Sequence, residues 1–265
     1  MKPFFSIVLP SYNSQDYIDR CINSVLSQTF ENFEVILIDN SSSDSTIDKI
    51  KKYKDERIKF FNINNFGILA KSRNLGINKA NSKWIAFLDS DDWWKETKLQ
   101  KVKEIIQFNK NCDLIYHNLC IHNPLQKINI RRNLYTRKSK NFFVDLMTKG
   151  NFIPNSSVVV KKELLKKVNG ICEDKNYFAS EDYNCWIKIA KYSNNFFFLN
   201  KTLGHYYINP KGSSKRDMSI PYRYATKEFV KFLKLESKRK YYSHLFFLNF
   251  RFKKFISKSK FKYCL

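Results

Sequence analysis

Over the first hundred residues, short apolar runs alternate with stripes at helical spacing, and that alternation admits few architectures. Residues 4–9 form an apolar run closed by Pro10, which suits a buried strand. Tyr17, Ile18, Cys21, Ile22, Val25 and Leu26 then recur on one face of a predicted helix. Residues 33–38, 58–63 and 84–88 read as further strands. Helices are predicted after the Ser41-Ser42-Ser43-Asp44 turn, around Leu69, Arg73 and Ile77, and along Leu99, Val102, Ile105 and Ile106. Strands that are apolar on both faces, each followed by a helix, imply an α/β fold whose mostly parallel sheet is covered on both sides. Past residue 110 the pattern weakens. Residues 113–116, 157–160, 196–199 and 205–208 read as short strands and 183–190 as a helix.

In such a sheet, ligands bind beyond the carboxyl ends of the strands. Three segments meet that description: residues 10–13, Asp39-Asn40, and Asp89-Ser90-Asp91-Asp92. Three carboxylates within four residues repel one another unless a cation or hydrogen-bond donors compensate. Oxygen-only ligands favour a hard divalent ion, Mg²⁺ or Mn²⁺. The competing reading makes Asp91 and Asp92 the acidic start of a helix beginning near Lys95. The six glycines, at 67, 76, 150, 170, 204 and 212, allow neither a Walker loop nor a G-x-G-x-x-G turn. A phosphorylated ligand would therefore need a metal where other proteins use a glycine-rich cradle.

Four segments carry a resemblance: Ser6-Ile7-Val8-Leu9-Pro10-Ser11-Tyr12-Asn13, Ile36-Leu37-Ile38-Asp39-Asn40-Ser41-Ser42-Ser43-Asp44, Asn65-Phe66-Gly67 with Ser72-Arg73-Asn74-Leu75-Gly76, and Phe87-Leu88-Asp89-Ser90-Asp91-Asp92. In this order and spacing the chain resembles the family 2 glycosyltransferases of the GT-A fold, a Rossmann-like sheet with flanking helices. The resemblance implies a nucleotide-sugar-binding half over 1–110 and an acceptor and catalytic-base half over 111–220. It gives Pro10, Tyr12, Asn13 and Asp39 to the nucleotide, with Asp39 on the base. Lys71 and Arg73 fall near the phosphates, Asp89 and Ser90 near the ribose, and Asp91 with Asp89 on the metal. Ala179-Ser180-Glu181-Asp182 is similar to the family's Glu-Asp pair. That makes Asp182 the general base of an inverting hexosyltransferase and Glu181 its acceptor-orienting neighbour. An isolated Ser-Glu-Asp reads equally as an acidic helix start.

The family's Tyr-Arg-x-His pattern is not kept: Tyr206-Tyr207-Ile208-Asn209 lacks both the arginine and the histidine. Lys211, Lys215 and Arg216 around Gly212-Ser213-Ser214 are expected to cover the diphosphate instead. Trp93 and Trp94 offer either a stacking face for a sugar or packing under the next helix. His205 is expected to be structural, and His117, His122 and His244 show no catalytic spacing. Six cysteines at 21, 112, 120, 172, 185 and 264 form no C-x-x-C and no zinc-like pairing, so reduced thiols are expected.

The charge is unevenly placed along the chain. The chain carries 48 Lys and Arg against 24 Asp and Glu, a net +24. Residues 222–265 hold thirteen of those cations and two Glu, interleaved with aromatics, as in Phe250-Arg251-Phe252-Lys253-Lys254-Phe255. Residues 221–265 accordingly read as a basic helical tail, either lying on an anionic membrane surface or docking on the core. No apolar stretch approaches 18 residues and no signal peptide is expected. The expected setting is the inner face of the cytoplasmic membrane. There a hexose, from UDP by expectation, would pass to a polyprenyl-diphosphate-linked glycan during lipopolysaccharide or other surface-polysaccharide assembly. A non-catalytic scaffold would share the fold and tail. A nucleic-acid-binding protein would share the charge but not the carboxylates at strand ends, so no nucleic-acid partner is expected.

Overall fold

The first half forms the alternating unit that its apolar pattern predicts. In a computed structural model, which describes residues 2–124, 128–132, 139, 141–210 and 218–233, strands β1 (Phe5–Ser11), β2 (Phe33–Asp39), β3 (Ile58–Asn62) and β4 (Trp84–Phe87) pair in parallel in the order β3-β2-β1-β4. Helices α1 (Ile18–Leu26), α2 (Thr46–Lys52), α3 (Leu69–Lys79) and α4 (Lys98–Phe108) connect and cover them. Alternate residues of one strand serve two cores. Val8, Ile36, Ile38 and Phe87 pack on the α3 side, and Ile7, Leu9, Leu37 and Ala86 pack with Ile18, Ile22 and Leu99 on the other. That double burial is why these strands read as continuous apolar runs. Pro10 lies in β1 beyond the last residue paired to β4, Val8, where its missing N–H costs no pairing on that side.

Helix α3 sits unusually close to the sheet. A Cβ at Gly76 would lie 2.5 Å from Val8 Cγ1 and 2.9 Å from Ile38 Cδ1, so this glycine sets the approach of the helix that carries Arg73.

The second half extends the same sheet. The strand β8 (Val159–Lys161) pairs antiparallel with both β4 and β6 (Leu114–Asn123), and β6 runs parallel to β9 (Phe196–Tyr207). The short strands β5 (Trp93–Trp94) and β7 (Ile128–Arg132) complete the nine-stranded sheet. Two strands were predicted where β9 runs unbroken. Its polar middle, Asn200 to Thr202, is accommodated by an irregularity opposite His117 and Asn118 while pairing resumes at Leu119 and Gly204. Helix α5 (Phe142–Lys149) was not read from the sequence; Asn141 caps it by accepting from Val144 N at 3.1 Å. Helices α6 (Lys162–Lys167), α7 (Glu181–Tyr192) and α8 (Ser219–Lys227) follow.

One alternative reading needs correction here. The helix after the acidic cluster starts at Lys98, not near Lys95, so Asp91 and Asp92 do not cap it; β5 intervenes. Of the two readings of the basic tail, its described part docks on the core. Ala225, Phe229 and Leu233 are buried in the same core as Trp186 and Ile189. Residues 234–265, with most of the tail's charge, lie outside the described residues, as do 211–217 with Lys211, Lys215 and Arg216. Among the described residues, no helix is long and apolar enough to cross a membrane.

Candidate active site

The carboxyl ends of β1, β2 and β4 bring the predicted segments together. Ser14 Oγ and Ser90 Oγ lie 2.7 Å apart, joining the loop after β1 to the acidic loop after β4. Asn13, at φ 43°, accepts from Ser43 N at 2.9 Å and donates its own N–H to Ser42 Oγ at 2.9 Å, joining the β1 and β2 loops. Tyr12 stands 58% exposed at this edge, open for a planar ligand. Asp39 closes the loop after β2. It is fully buried, accepting from Ser11 Oγ at 2.8 Å, Ser42 Oγ at 2.6 Å and Ser42 N at 2.8 Å. It anchors the loop beside the pocket. Lys71 turns to the rim, its ammonium 5.2 Å from the centre of the Phe66 ring.

Arg73 joins the two constellations. Its Nη2 donates to Asp89 Oδ1 at 2.7 Å and its Nη1 to Glu181 Oε1 at 2.6 Å, with the arginine side chain 3% exposed. Burial works against the guanidinium charge, but Asp89 and Glu181 outweigh it and hold the group above its usual range. A residue on α3 thus ties the end of β4 to the first turn of α7. Beside Glu181, Asp182 is partly exposed. It accepts weakly from Asn151 Nδ2 at 3.4 Å and from Tyr183 N at 2.7 Å. Burial of its carboxyl, with Glu181 adjacent, raises its pKa to about 7. A carboxylate poised near neutrality is suited to taking a proton.

The acidic loop is supported by residues that the sequence reading missed. Asn155 Nδ2 donates to Asp89 Oδ1 at 3.0 Å, and Asp89 N donates to Ser156 Oγ at 3.1 Å. Both residues belong to a single 3-10 turn, Asn155–Ser157. The signal was present as a polar Pro154-Asn155-Ser156-Ser157 stretch interrupting apolar neighbours. Asp92 is buried and accepts from Tyr207 N at 2.9 Å, fastening the end of β9 to the loop. Asp91 has its pKa raised to about 6 by burial and by Asp89, partly offset by a hydrogen bond from the Asn209 side chain. Asn209 is the residue in register with the family's missing histidine, and it does reach the acidic loop.

Asp91, and the Asp89 oxygen not engaged by Arg73 and Asn155, form a hard, oxygen-only donor set. A divalent cation would relieve their crowding, so these residues fit Mg²⁺ or Mn²⁺. The tryptophans pack: Trp94 is buried and donates from Nε1 to the Ser156 carbonyl at 2.8 Å, and Trp93 stacks on His205. His117 is a fully buried, neutral core residue.

The model of the family described as glycosyl transferase family 2 matches residues 6–168. The chain belongs to this family. The enzyme class expected from the sequence, a hexosyltransferase, stands with it. The putative teichuronic acid biosynthesis glycosyltransferase TuaG of Bacillus subtilis (strain 168) is 28% identical over 211 residues, covering 77% of this chain and 79% of that protein. The UDP-Glc:alpha-D-GlcNAc-diphosphoundecaprenol beta-1,3-glucosyltransferase WfgD of Escherichia coli is 31% identical over 193 residues, covering 71% and 70%. Among solved structures, S. aureus TarS 1-349 in complex with UDP-GlcNAc superposes with a TM-score of 0.70 at 20% identity, over 85% of this chain and 65% of that one. The mannosyltransferase PcManGT of Pyrobaculum calidifontis, in complex with GDP-Man and Mn2+, gives 0.64 at 15% identity, over 89% and 69%. These likenesses establish the fold as GT-A.

Proposed function

We propose that this family 2 glycosyltransferase moves a hexose, with inversion, from a UDP-linked donor to a polyprenyl-diphosphate-linked glycan in surface-polysaccharide assembly. The observation that carries this reading is the Arg73 bridge, because it fixes the strand-end carboxylates and the Glu181-Asp182 pair in one site. In this reading, residues 1–110 bind the donor. The nucleotide lies along Pro10, Tyr12 and Asn13, with Asp39 holding the loop behind it, and Asp89 and Ser90 take the ribose. Residues 111–220 contribute the acceptor side. A Mg²⁺ or Mn²⁺ held by Asp91 and Asp89 would neutralise charge on the departing nucleoside diphosphate.

Asp182 takes the proton of the acceptor hydroxyl as that oxygen bonds to the anomeric carbon and the carbon–oxygen bond to the diphosphate breaks. Attack from the face opposite the leaving group inverts the centre. Glu181, pinned by Arg73, is held beside the base to orient the acceptor. WfgD, named for a UDP-Glc donor and a diphosphoundecaprenol-linked sugar, supports the donor and acceptor classes. The complex of PcManGT with Mn2+ supports a metal. The basic tail, residues 222–265, supplies the contact with anionic lipid at the cytoplasmic face.

The test is transfer from UDP-hexoses to a polyprenyl-diphosphate-linked sugar by wild type and Asp182→Asn. The variant is expected to lose about 10²–10⁴-fold in kcat with little change in donor affinity. Turnover within a few-fold of wild type would remove Asp182 from the base role.

A further inference from the structure

Outside this site, β6 and β9 bring three soft donor groups to one face of the sheet. Cys120 and His122 are two residues apart on β6 and so point the same way, and Cys120 is in parallel register with His205 on β9. The ligand atoms, one from each of Cys120, His122 and His205, all lie within 4.8 Å of one another. His122 Nε2 and His205 Nδ1 are 2.8 Å apart. We propose that Cys120, His122 and His205 form a second metal site, for Zn²⁺ or a similarly soft divalent ion, distinct from the oxygen-only site at Asp91.

The donor chemistry separates the two sites. One thiolate and two imidazoles are a zinc set, and Mg²⁺ and Mn²⁺ prefer carboxylates. The geometry is close to what zinc asks for. A tetrahedral ion about 2.0–2.1 Å from each nitrogen wants them roughly 3.3 Å apart, so the two ring edges part by about half an ångström. The rings are held for this by Trp93, which pairs with His205 across β5 and β9. It stacks on His205 at 4.7 Å and 7° and lies against His122 at 4.7 Å and 39°. Arg20 closes the far side of the Trp93 ring, its guanidinium carbon 3.7 Å from the centroid. All three donors are half-buried, and His205 lines an open groove of about 730 Å³ that also includes Arg20, Ser24, Trp93 and Lys95. An ion therefore has a way in, and solvent supplies a fourth ligand.

The placement gives such an ion a structural consequence. It would clamp β6 to β9 two residues from Tyr207, whose N–H holds Asp92, and on the strand opposite β5, which directly follows the acidic loop. The ion would thus stiffen the support of the catalytic loop without touching donor or acceptor.

The test is titration of the reduced full-length protein with Co²⁺, read by absorbance. Co²⁺ reports both a tetrahedral field and a bound thiolate. One equivalent is expected to bind with a thiolate-to-cobalt charge-transfer band that Zn²⁺ abolishes and excess Mg²⁺ does not. Cys120→Ser, which changes one atom and leaves the ring stack intact, should remove that band. His205→Gln should weaken binding by at least about tenfold. Absence of a thiolate band in the wild type, or the same band in Cys120→Ser, would overturn the site. Neither result bears on sugar transfer, so failure here and failure of the proposed function are separable.

Discussion

Arg73 divides one guanidinium between carboxylates 16 and 108 residues away in the chain, and the site depends on that division. The sequence shows Arg73, Asp89 and Glu181 as members of three separate motifs; that one side chain bridges them is a tertiary fact with no local signature. Asp39 shows the opposite difficulty. Its motif was plain, but three donors enclose the carboxylate, and hydroxyl-rich loops such as Ser41-Ser42-Ser43 give no warning of which way they will fold back. The Cys120, His122 and His205 group escaped for a similar reason, since 83 residues separate its two histidines. The pH prediction belongs at this scale. Asp182 must be ionised to accept a proton, and its pKa is raised to about 7. The kcat/KM should therefore fall about tenfold per unit below pH 7 and level off above it. The same raised value means folding favours the protonated carboxyl. That stabilisation is complete below the ordinary carboxylate range and lost as pH rises through 7. Asp182→Asn should accordingly melt higher than wild type at pH 8, by a smaller margin at pH 5 and by none at pH 3, as scanning calorimetry can record.

Among the elements, α3 shows how a helix with a weak apolar stripe is still placed accurately. Its position rests on Gly76 meeting Val8 and Ile38, not on a broad greasy face. Gly76→Ala puts a methyl group within 3 Å of both side chains. It should destabilise the fold by about 1–3 kcal/mol, measured by urea unfolding, and displace Arg73 enough to lower turnover as well. An alanine variant as stable as wild type would mean that the helix is free to move outward. β1, β2 and β4 were legible because each is buried on both faces, and α1 because it buries one clear stripe, whereas β3 is a largely exposed edge strand. β9 was not, because the irregularity at His117 and Asn118 let a polar segment continue a strand. α5 was missed because Phe142, Phe143, Leu146 and Met147 make a buried face too short to stand out in an aromatic-rich chain.

For the whole molecule, the strongly basic balance and the acidic chemistry occupy different places. The net charge of +24 does not build the proposed site, whose groups in this reading are Asp89, Asp91, Glu181 and Asp182 around one arginine. Composition could indicate anionic partners but not separate a core-docked helix from a lipid-bound one. The burial of Ala225, Phe229 and Leu233 docks the described part of the tail, up to residue 233, on the core. A chain ending there keeps its described core contacts. It should unfold within about 1 kcal/mol of the full-length protein while losing co-sedimentation with vesicles containing anionic lipid. Equal sedimentation of the two would move the membrane contact elsewhere.

The central claim is that the strand-end carboxylates bind a nucleotide sugar through a metal in a site shared with Asp182. The melting temperature of the full-length protein with UDP, UDP-glucose or UDP-N-acetylglucosamine, each with and without Mn²⁺, addresses it most directly. The account predicts stabilisation by a uridine diphosphate only when metal is present, absent in Asp91→Asn, and growing with ligand concentration as mass action requires. The same shift without metal, or no shift with any nucleoside diphosphate or its sugar, would contradict it.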